Sequence, residues 1–419
     1  MINTIAFSLL LVVSFGFFSY SIKNIISYLK IGKPENRWNN FGQRIINIIN
    51  IAFLQSKLFR SKLAGLLHAS IFWGFCVLLL LVIEGLIEGY FHNFSFAFLG
   101  KFFSIITITQ DIFGYIVLIT VTFSLFRRYI GTPKRLNDKS SRPDATFILV
   151  LILLVMITMI GMNIEKVLLG TIRGARPITI YFAGILNIEG SETFYQIFWW
   201  THNILVLGFL NYLPYSKHFH VLSSVPNTFL SNFKIDRKNI LKPINFEDES
   251  IQQYGAKDIE DLTWKQLLDG YTCTECGRCT EVCPANGTGK ILNPKKIITD
   301  IRKRTMQKGP LLIKKIEDNL ILDKSLVHDY ITQEELWACT TCAACVEECP
   351  VMIDHITSIV ELRRNLTMME SSFPLELNTV FKNLENNESP WAFGAESRNE
   401  WIEEFIEETK KENIKSSLT

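Results

Sequence analysis

Two short stretches contain eight of the nine cysteines of this chain, and their spacing is suited to binding metal. The stretches are CTECGRCTEVCP, residues 273–284, and CTTCAACVEECP, residues 339–350. Each reads C-x2-C-x2-C-x3-C-P, the spacing of chains that hold two [4Fe–4S] clusters, where the fourth cysteine of one run ligates the other cluster. We therefore expect a first cluster on Cys273, Cys276, Cys279 and Cys349, and a second cluster on Cys339, Cys342, Cys345 and Cys283.

A pair of structural zinc sites is the alternative, because zinc held by four thiolates also uses C-x2-C pairs. Zinc motifs bring two pairs from separate places, whereas each run here is a triple with a fourth cysteine and a proline, and the pattern is repeated. The spacing therefore favours iron and sulfide. The ninth cysteine, Cys76, lies within an apolar run and is predicted to be a small buried residue.

A segment with a helical pattern follows each cysteine run, at 293–304 and at 353–366, so the sequence predicts a duplicated helix–loop–helix unit. The stretch from Lys295 to Lys308 is rich in Lys and Arg. It is a candidate dock for an acidic partner, but a solvated helix face is the favoured interpretation.

The first half of the chain has a different composition, which predicts a bundle of membrane helices. Five apolar runs, 4–22, 63–89, 106–126, 145–165 and 194–216, are each near the ~20 residues that cross a bilayer as a helix. Lys and Arg are concentrated in the loops 30–62 and 127–142, which predicts that these loops are cytoplasmic. The N-terminus is then outside, on an uncleaved first helix, and the cysteines lie in the cytoplasm, where thiols stay reduced.

Histidines in the apolar runs are candidate ligands for an electron carrier inside the membrane. His68 lies near the start of the second run, and His202 and His220 lie in and beyond the fifth. If the fifth run continues as one helix, His202 and His220 are about five turns apart and share a face. His68 and His220 would then lie at the same depth on neighbouring helices, as the two ligands of a b-type haem do.

Other polar residues of this half have weaker patterns. His218 lies off the face shared by His202 and His220, and Pro214 interrupts the run between them. The nearest histidine at the outer side, His92, is 24 residues beyond His68 and off its helix face. His202 therefore has no equally good partner for a second, outer haem. Four ionisable residues near the outer helix ends either transfer protons for a quinone or contact headgroup water: Glu84, Glu88, Lys101 and Asp111.

Taken together, these residues resemble a known family. The apolar half is similar to the membrane subunit of heterodisulfide reductases and to the gamma subunit of respiratory nitrate reductase, in LLHASIFWGF around His68, in the separation of His202 from His220, and in HVLSSVP. The resemblance implies a haem b domain. In that family a further histidine, ten residues after the first, completes an outer haem, and here Leu78 occupies that position.

The second half resembles the iron–sulfur subunits of heterodisulfide reductase and of membrane-bound oxidoreductases that take electrons from electron-transferring flavoprotein. The similarity covers both cysteine runs and continues to NNESPWAFGAESRNEW. Larger relatives continue into cysteine-rich repeats, and the lack of these repeats here implies a separate cytoplasmic subunit, either cysteine-rich or a flavoprotein. The acidic tail, with Trp391 and Trp401, is a candidate dock for that subunit or a disordered, solvated segment.

The predicted fold is all-α: a five-helix transmembrane haem domain at 1–222, a linker at 223–262, a helical two-cluster ferredoxin domain at 263–370 and the tail at 371–419. The expected function is that of a multi-pass subunit of the inner membrane that passes electrons between a soluble partner and the quinone pool. Quinone is its expected substrate, lipid surrounds it, and no nucleic acid is expected. The alternative is a membrane redox sensor or assembly scaffold that does not turn over quinone.

Overall fold

The computed structural model describes residues 4–91, 94–131, 135, 142–231, 241, 243–394, 397 and 399–417, and these residues contain helices and no β-strand. We call residues 4–231 the apolar half and residues 243–373 the cysteine half. The helices of the apolar half are α1 (Thr4–Leu29), α2 (Phe41–Asn47), α3 (Lys62–Glu88), α4 (Lys101–Tyr129), α5 (Arg142–Leu168), α6 (Pro177–Leu186), α7 (Glu192–Tyr212) and α8 (His220–Phe229). A π-helix (Ile48–Phe53) and short 3-10 turns (Leu58–Arg60, Phe96–Leu99, Leu213–Tyr215 and Lys217–Phe219) connect them.

The helices that follow are shorter. In the cysteine half they are α9 (Trp264–Thr272), α10 (Arg278–Glu281), α11 (Pro284–Gly287), α12 (Pro294–Ile313), α13 (Leu326–Asp329), α14 (Gln333–Trp337), α15 (Ala344–Glu348) and α16 (His355–Met368). Helices α12 and α16 match the two helices predicted after the cysteine runs. The tail contains α17 (Glu376–Asn387) and α18 (Glu400–Ser417), and the described side chains of α18 are exposed.

Four helices have the length and apolar composition to cross a membrane, namely α1, α3, α4 and α5. Their large apolar side chains are exposed along much of each helix, as expected for surfaces that face lipid. The predicted fifth span, 194–216, corresponds to α7, which is not among these four in the described chain. Polar residues such as Gln196 and Asn203 lower its hydropathy, so its crossing of the membrane stays a prediction.

The structure corrects the prediction that the fifth helix continues to His220. Helix α7 ends at Tyr212, Pro214 lies in a 3-10 turn, and a new helix begins at His220. Proline has no backbone N–H to donate and its ring clashes with the preceding turn, so it ends the helix here. His202 and His220 are therefore on different helices, and the argument that they share one helix face is wrong.

The core of the cysteine half is formed by α9, α12 and α16, whose fully buried side chains include Leu267, Ile298 and Leu362. The end of the predicted linker also packs in this core, since Ile259 and Leu262 are fully buried. Residues 232–240 and 242 of that linker lie outside the described ranges. The predicted domain boundaries stay predictions.

The basic stretch on α12 is not solvated throughout, contrary to the favoured interpretation. Lys295, Arg304 and Lys308 are all buried. Arg304 donates to both carboxylate oxygens of Asp258, at 2.6 and 2.9 Å, and Lys308 donates to Asp258 at 2.8 Å. These cations stabilise the cysteine half by pairing with an internal acid.

Candidate metal centres

The two cysteine runs adopt the same backbone conformation. Positive φ angles occur at Glu275 (54°) and Gly277 (75°) in the first run, and at Thr341 (54°) and Ala343 (62°) at the same positions of the second. When residues in the left-handed conformation alternate with residues in the ordinary conformation, successive N–H groups point to the same side. The loop then forms a concave anion site of the kind found at iron–sulfur clusters. Both runs therefore form loops suited to an anionic cluster.

An arginine from the following helix holds the first cysteine of each loop in place. Arg302 on α12 donates to the carbonyl of Cys273, at 3.3 Å. Arg363 on α16 donates to the carbonyl of Cys339 and lies over the ring of Trp337. The duplication seen in the sequence thus extends to the contacts that position the loops.

The four cysteines predicted to bind the first cluster line one cavity. Cys273, Cys276 and Cys279 come from the first run and Cys349 from the second. Burial, together with the neighbouring Cys276 and Cys273 thiols, raises the pKa of the Cys349 thiol to about 12. Buried thiols of this kind lose their protons readily when a metal cation binds them.

The other four cysteines also lie together. Burial raises the pKa of Cys345, and the thiols of Cys339, Cys283 and Cys342 add to that rise. Cys283 comes from the first run, so each group contains one cysteine of the other run. Of the second group Cys345 and Cys283 are buried, while Cys342 is exposed.

Each group of four thiols could hold an iron–sulfur cube, which takes four thiolate ligands. Within the ranges that the structure describes, no three His, Cys, Asp or Glu side chains converge closely enough to hold a single metal ion. Four thiolates on zinc would each lie about 2.3 Å from one centre. A cube of four irons and four sulfides is a larger body, and its thiolates are correspondingly farther apart.

The structure brings His68 and His220 together. The centres of their rings are 6.4 Å apart, and the ring planes differ by 36°. Bonds from imidazole nitrogen to a metal are about 2 Å, so two imidazoles on opposite sides of one iron have ring centres about 6 Å apart. The two imidazoles are therefore spaced so that they could hold one metal centre between them.

Hydrogen bonds orient both rings. His68 Nδ1–H donates to Gln55 Oε1 at 3.2 Å, and His220 Nδ1–H donates to the carbonyl of Lys217 at 3.0 Å. Both Nε2 atoms therefore carry the lone pair that a metal requires. Burial lowers the pKa of His220 to about 3, which keeps its imidazole neutral.

Gln55 is a residue of this site that the sequence did not reveal. It follows the π-helix, has a positive φ of 52° and is buried. The 3-10 turn Leu58–Arg60 packs against Gly65 at the start of α3, and this contact brings Gln55 to His68. A Cβ at position 65 would lie 2.8 Å from the carbonyl oxygen of Leu58. Close approach of this kind needs glycine.

The other candidate histidines have different surroundings. His202 Nδ1–H donates to the carbonyl of Val155 at 3.1 Å, and His92 lies outside the described residues. Leu78 is buried in an apolar cluster. The ring of His218 contacts Ser216 at 3.0 Å and Asp144 at 3.7 Å. A second haem at His202 thus stays an untested expectation.

The acidic residues near the other end of the bundle have structural partners. Glu84 accepts from the backbone N–H of Phe96 at 3.2 Å, and Glu88 pairs with Lys166 at 2.9 Å. Asp111 accepts from the backbone N–H of Ile178 at 2.7 Å, at the start of α6. Partners within the protein therefore explain the positions of these three carboxylates, and no bound ligand is needed to explain them.

Both cysteine loops are attached to the segment that positions Gln55. Arg278, buried in the first loop, donates to the carbonyls of Lys57 and Leu58, at 3.0 Å each, and to Glu348 at 3.1 Å. Arg60 also pairs with Glu348, at 2.9 Å. Closer to the histidines, Phe219 packs against Tyr271, with ring centres 6.3 Å apart.

Comparison with known proteins supports the iron–sulfur assignment. Residues 272–353 match a family model described as a 4Fe-4S dicluster domain. No solved structure matches the chain. The match supports iron–sulfur clusters in the cysteine half and does not concern a haem.

Two relatives match most of the chain, and others match part of it. The probable iron–sulfur-binding oxidoreductase FadF of Bacillus subtilis is 32% identical over 98% of this chain, and the EtfAB:quinone oxidoreductase of Syntrophomonas wolfei is 32% identical over 93%. The chain spans 63% and 57% of the lengths of these relatives. A probable membrane-anchored ferredoxin of Chromohalobacter salexigens is 34% identical over 39% of this chain and 26% of its own length. Subunits C of heterodisulfide reductases match over 26% and 23% of this chain.

Proposed function

We propose that this chain, which is similar along most of its length to iron–sulfur oxidoreductases, is a membrane-bound electron-transfer subunit. It passes electrons between a soluble redox partner and the quinone pool, by way of two [4Fe–4S] clusters and one haem b. The proposed location is the inner membrane, with the N-terminus outside and the cysteine half in the cytoplasm. Four apolar helices and the similarity to a membrane-anchored ferredoxin support a membrane protein.

The pairing of His68 with His220 is the observation that carries the haem part of the proposal. Their ring centres are 6.4 Å apart, and each ring uses Nδ1 for an internal hydrogen bond. Two neutral imidazoles with Nε2 available would be suited to hold a haem iron, which would supply one-electron chemistry there. The haem would lie between α3 and the start of α8.

The exposure of the two loops indicates the direction from which a partner approaches. Cys276 is half-buried, the other thiols of the first group are buried, and this loop packs against the apolar half through Arg278. Thr340, Thr341 and Cys342 of the second loop are exposed. A soluble partner is therefore expected to contact the second loop.

The side chains between the two halves define a contact from the first loop to the haem ligands. Tyr271 lies two residues before Cys273, and Phe219 lies immediately before His220. Their packed rings, in a buried apolar cluster with Ile25, bring these two backbone segments together. The first cluster is thus the one that adjoins the apolar half.

The protein supplies positions and surroundings for groups that exchange electrons. When bound, the clusters and the haem supply reversible one-electron chemistry, which none of the side chains at these sites provides. The thiolates and imidazoles would ligate the iron, and Arg302, Arg363 and Gln55 hold their ligands in orientation. Cys273 and Cys279 are buried and the two histidines are half-buried, and such partial exclusion of water helps to set reduction potentials.

The partner in this proposal is a separate flavoprotein or cysteine-rich subunit. One relative has the name EtfAB:quinone oxidoreductase, and others are subunits of heterodisulfide reductases. We assign electron-transferring flavoprotein as the first partner to test, because that relative is similar over 93% of this chain.

The proposal is tested by adding a short-chain menaquinol to membranes that contain the full chain. The haem absorption band should become that of the reduced form, and a His68→Ala variant should lack the band. Haem that dithionite reduces but menaquinol leaves oxidised would instead support a redox sensor or scaffold. Purified protein with zinc, and without acid-labile sulfide or haem, would contradict the proposal altogether.

A further inference from the structure

His355 is a buried imidazole beside the first group of cysteines. It is the first residue of α16, and its side chain is 1% exposed. It lines the same cavity as Cys273, Cys276, Cys279 and Cys349. The sequence interpretation gave this residue no role.

The ring of His355 has a polar atom without a partner. Its Nδ1 is buried and makes no hydrogen bond of ordinary geometry with the described residues. The carbonyl of Ile353 lies near the ring but does not complete a well-aligned hydrogen bond. An imidazole carries at least one N–H in either charge state, and a buried donor of this kind is normally paired.

The second group of cysteines has no counterpart of His355 in the corresponding helix. Cys349, the crossing ligand of the first group, precedes α16, which begins with His355. Cys283, the crossing ligand of the second group, precedes α12, which begins with Pro294. The asymmetry therefore places an extra donor at one cluster.

We propose that the imidazole of His355 donates a hydrogen bond to a sulfur of the first cluster and thereby raises the reduction potential of that cluster. The inference rests on the cluster assignment in the proposed function. Reduction adds negative charge to the cluster, and a donor to its sulfur stabilises the reduced form more than the oxidised form. Backbone N–H groups already donate to these sulfurs, among them that of Ile353 to Cys349 Sγ at 3.4 Å, and His355 would add a side-chain donor.

Potential titration of the purified full chain, followed by electron paramagnetic resonance, tests this role. In His355→Phe, the equilibrium constant for reducing the first cluster should fall about tenfold, which is about 59 mV for one electron. The second cluster should be unaffected. His355→Asn places an amide N–H near the position of Nδ1 and should restore part of the potential.

The control is His328→Phe, which removes an imidazole from the surface, where it pairs with Glu370. Both potentials should be unchanged in this variant. A His355→Phe protein with full iron content and an unshifted first cluster would overturn the proposal. So would loss of the first cluster from both His355 variants, because that shows a structural role. If the unaltered chain binds no iron–sulfur cluster, the proposed function itself has failed, and iron analysis distinguishes that case.

Discussion

His68 and His220 each use one ring nitrogen for a hydrogen bond within the protein. Gln55 accepts from His68, and the Lys217 carbonyl accepts from His220. These acceptors fix the tautomer, so that Nε2 is available to a metal in both rings. Under the proposed function, both imidazoles would thus be oriented before a haem binds.

Substitution of His220 tests this orientation directly. His220→Ala should abolish the b-haem absorption band, because the iron loses one axial ligand. Gln55→Leu keeps both ligands but removes the acceptor for His68, and should lower haem affinity about 10–100-fold. Haem titration of the purified variants measures both effects. His218→Ala is the control, and loss of the band in that variant but not in His220→Ala would show that His220 is the wrong ligand.

The crossing cysteines give a second prediction. Cys349→Ser should remove the same cluster signal as Cys273→Ser, although Cys349 belongs to the second run, and about half of the iron should remain. Electron paramagnetic resonance and iron analysis measure these losses. Cys76→Ser, in α3, is the control and should keep both clusters. If Cys349→Ser and Cys345→Ser remove the same signal, the division into two groups is incorrect.

The cysteine spacing divided the eight thiols into two groups because the motif is local, and the structure places each group together. Ligation itself stays a prediction. The pairing of His68 with His220 was predicted from their depth, although the helical argument for His220 was wrong. Gln55 could not be predicted, because its contact depends on a π-helix, a positive φ and the close approach at Gly65. None of these has a local sequence signature.

At the scale of elements, the two cysteine loops share a conformation but use different residues. Gly277 and Ala343 occupy equivalent left-handed positions, with φ of 75° and 62°. This conformation is strained for alanine because of its Cβ, whereas glycine adopts it without strain. The first loop also has less space, because a Cβ at Gly277 would lie 2.8 Å from the carbonyl oxygen of Arg135.

Gly277→Ala should therefore destabilise the protein by about 1–2 kcal/mol from backbone conformation alone, with a further loss from contact with Arg135. Gly289→Ala is a matched control, since its φ is 85° and its Cβ would meet open space. Thermal unfolding of both variants measures the difference. Equal melting temperatures would show that the contact with Arg135 costs nothing.

The ion pairs of α12 give a pH-dependent prediction. Burial would raise the pKa of Asp258, but Arg304 and Lys308 outweigh it and lower that pKa below the ordinary value. Its contribution to stability is therefore complete above the unfolded pKa of about 3.9 and is lost as pH falls further. Asp258→Asn should cost about 3–5 kcal/mol at neutral pH, because two buried cations lose their partner.

Chemical unfolding between pH 8 and pH 3.5 measures this difference in stability. The difference between the variant and the unaltered chain should be constant down to about pH 5 and narrow below about pH 4. Glu260→Gln is the control, since Glu260 also pairs with Lys308 but is more exposed. A difference that stays constant below about pH 4, or that widens as the pH falls, would show that the pKa of Asp258 is not lowered.

The helices were predicted better than their ends and their buried charges. α12 and α16 follow from local periodicity, and α1, α3, α4 and α5 from long apolar runs. The end of α7 was misjudged because the apolar pattern continues past Pro214. Arg304 was assigned to a solvated face, since its partner Asp258 is distant in sequence and only tertiary packing brings them together.

At the scale of the whole molecule, both cysteine runs contact residues 57–60 of the apolar half, but the start of the second run also faces solvent. Thr340, Thr341 and Cys342 are exposed, whereas none of residues 273–279 is exposed. Electrons from a soluble protein should therefore enter at the second cluster.

Thr340→Tyr should slow reduction of the chain by a reduced electron-transferring flavoprotein, because the added ring holds the partner away from the second loop. Reduction by dithionite, a small molecule, should be unchanged. Stopped-flow absorbance measures both rates. Leu320→Tyr is the control, on a residue that is 81% exposed elsewhere on the cysteine half. A protein donor that reduces Thr340→Tyr at the unaltered rate would show that it docks elsewhere.

The attachment of both cysteine loops to residues 57–60 has a consequence for the timing of turnover. Arg278 and Arg60 fasten the loops to the same short segment that orients His68. Under the proposed function, we therefore expect electrons to pass between the two halves without a domain movement. Solvent viscosity should therefore slow the encounter with the partner protein but leave the internal transfer unaffected.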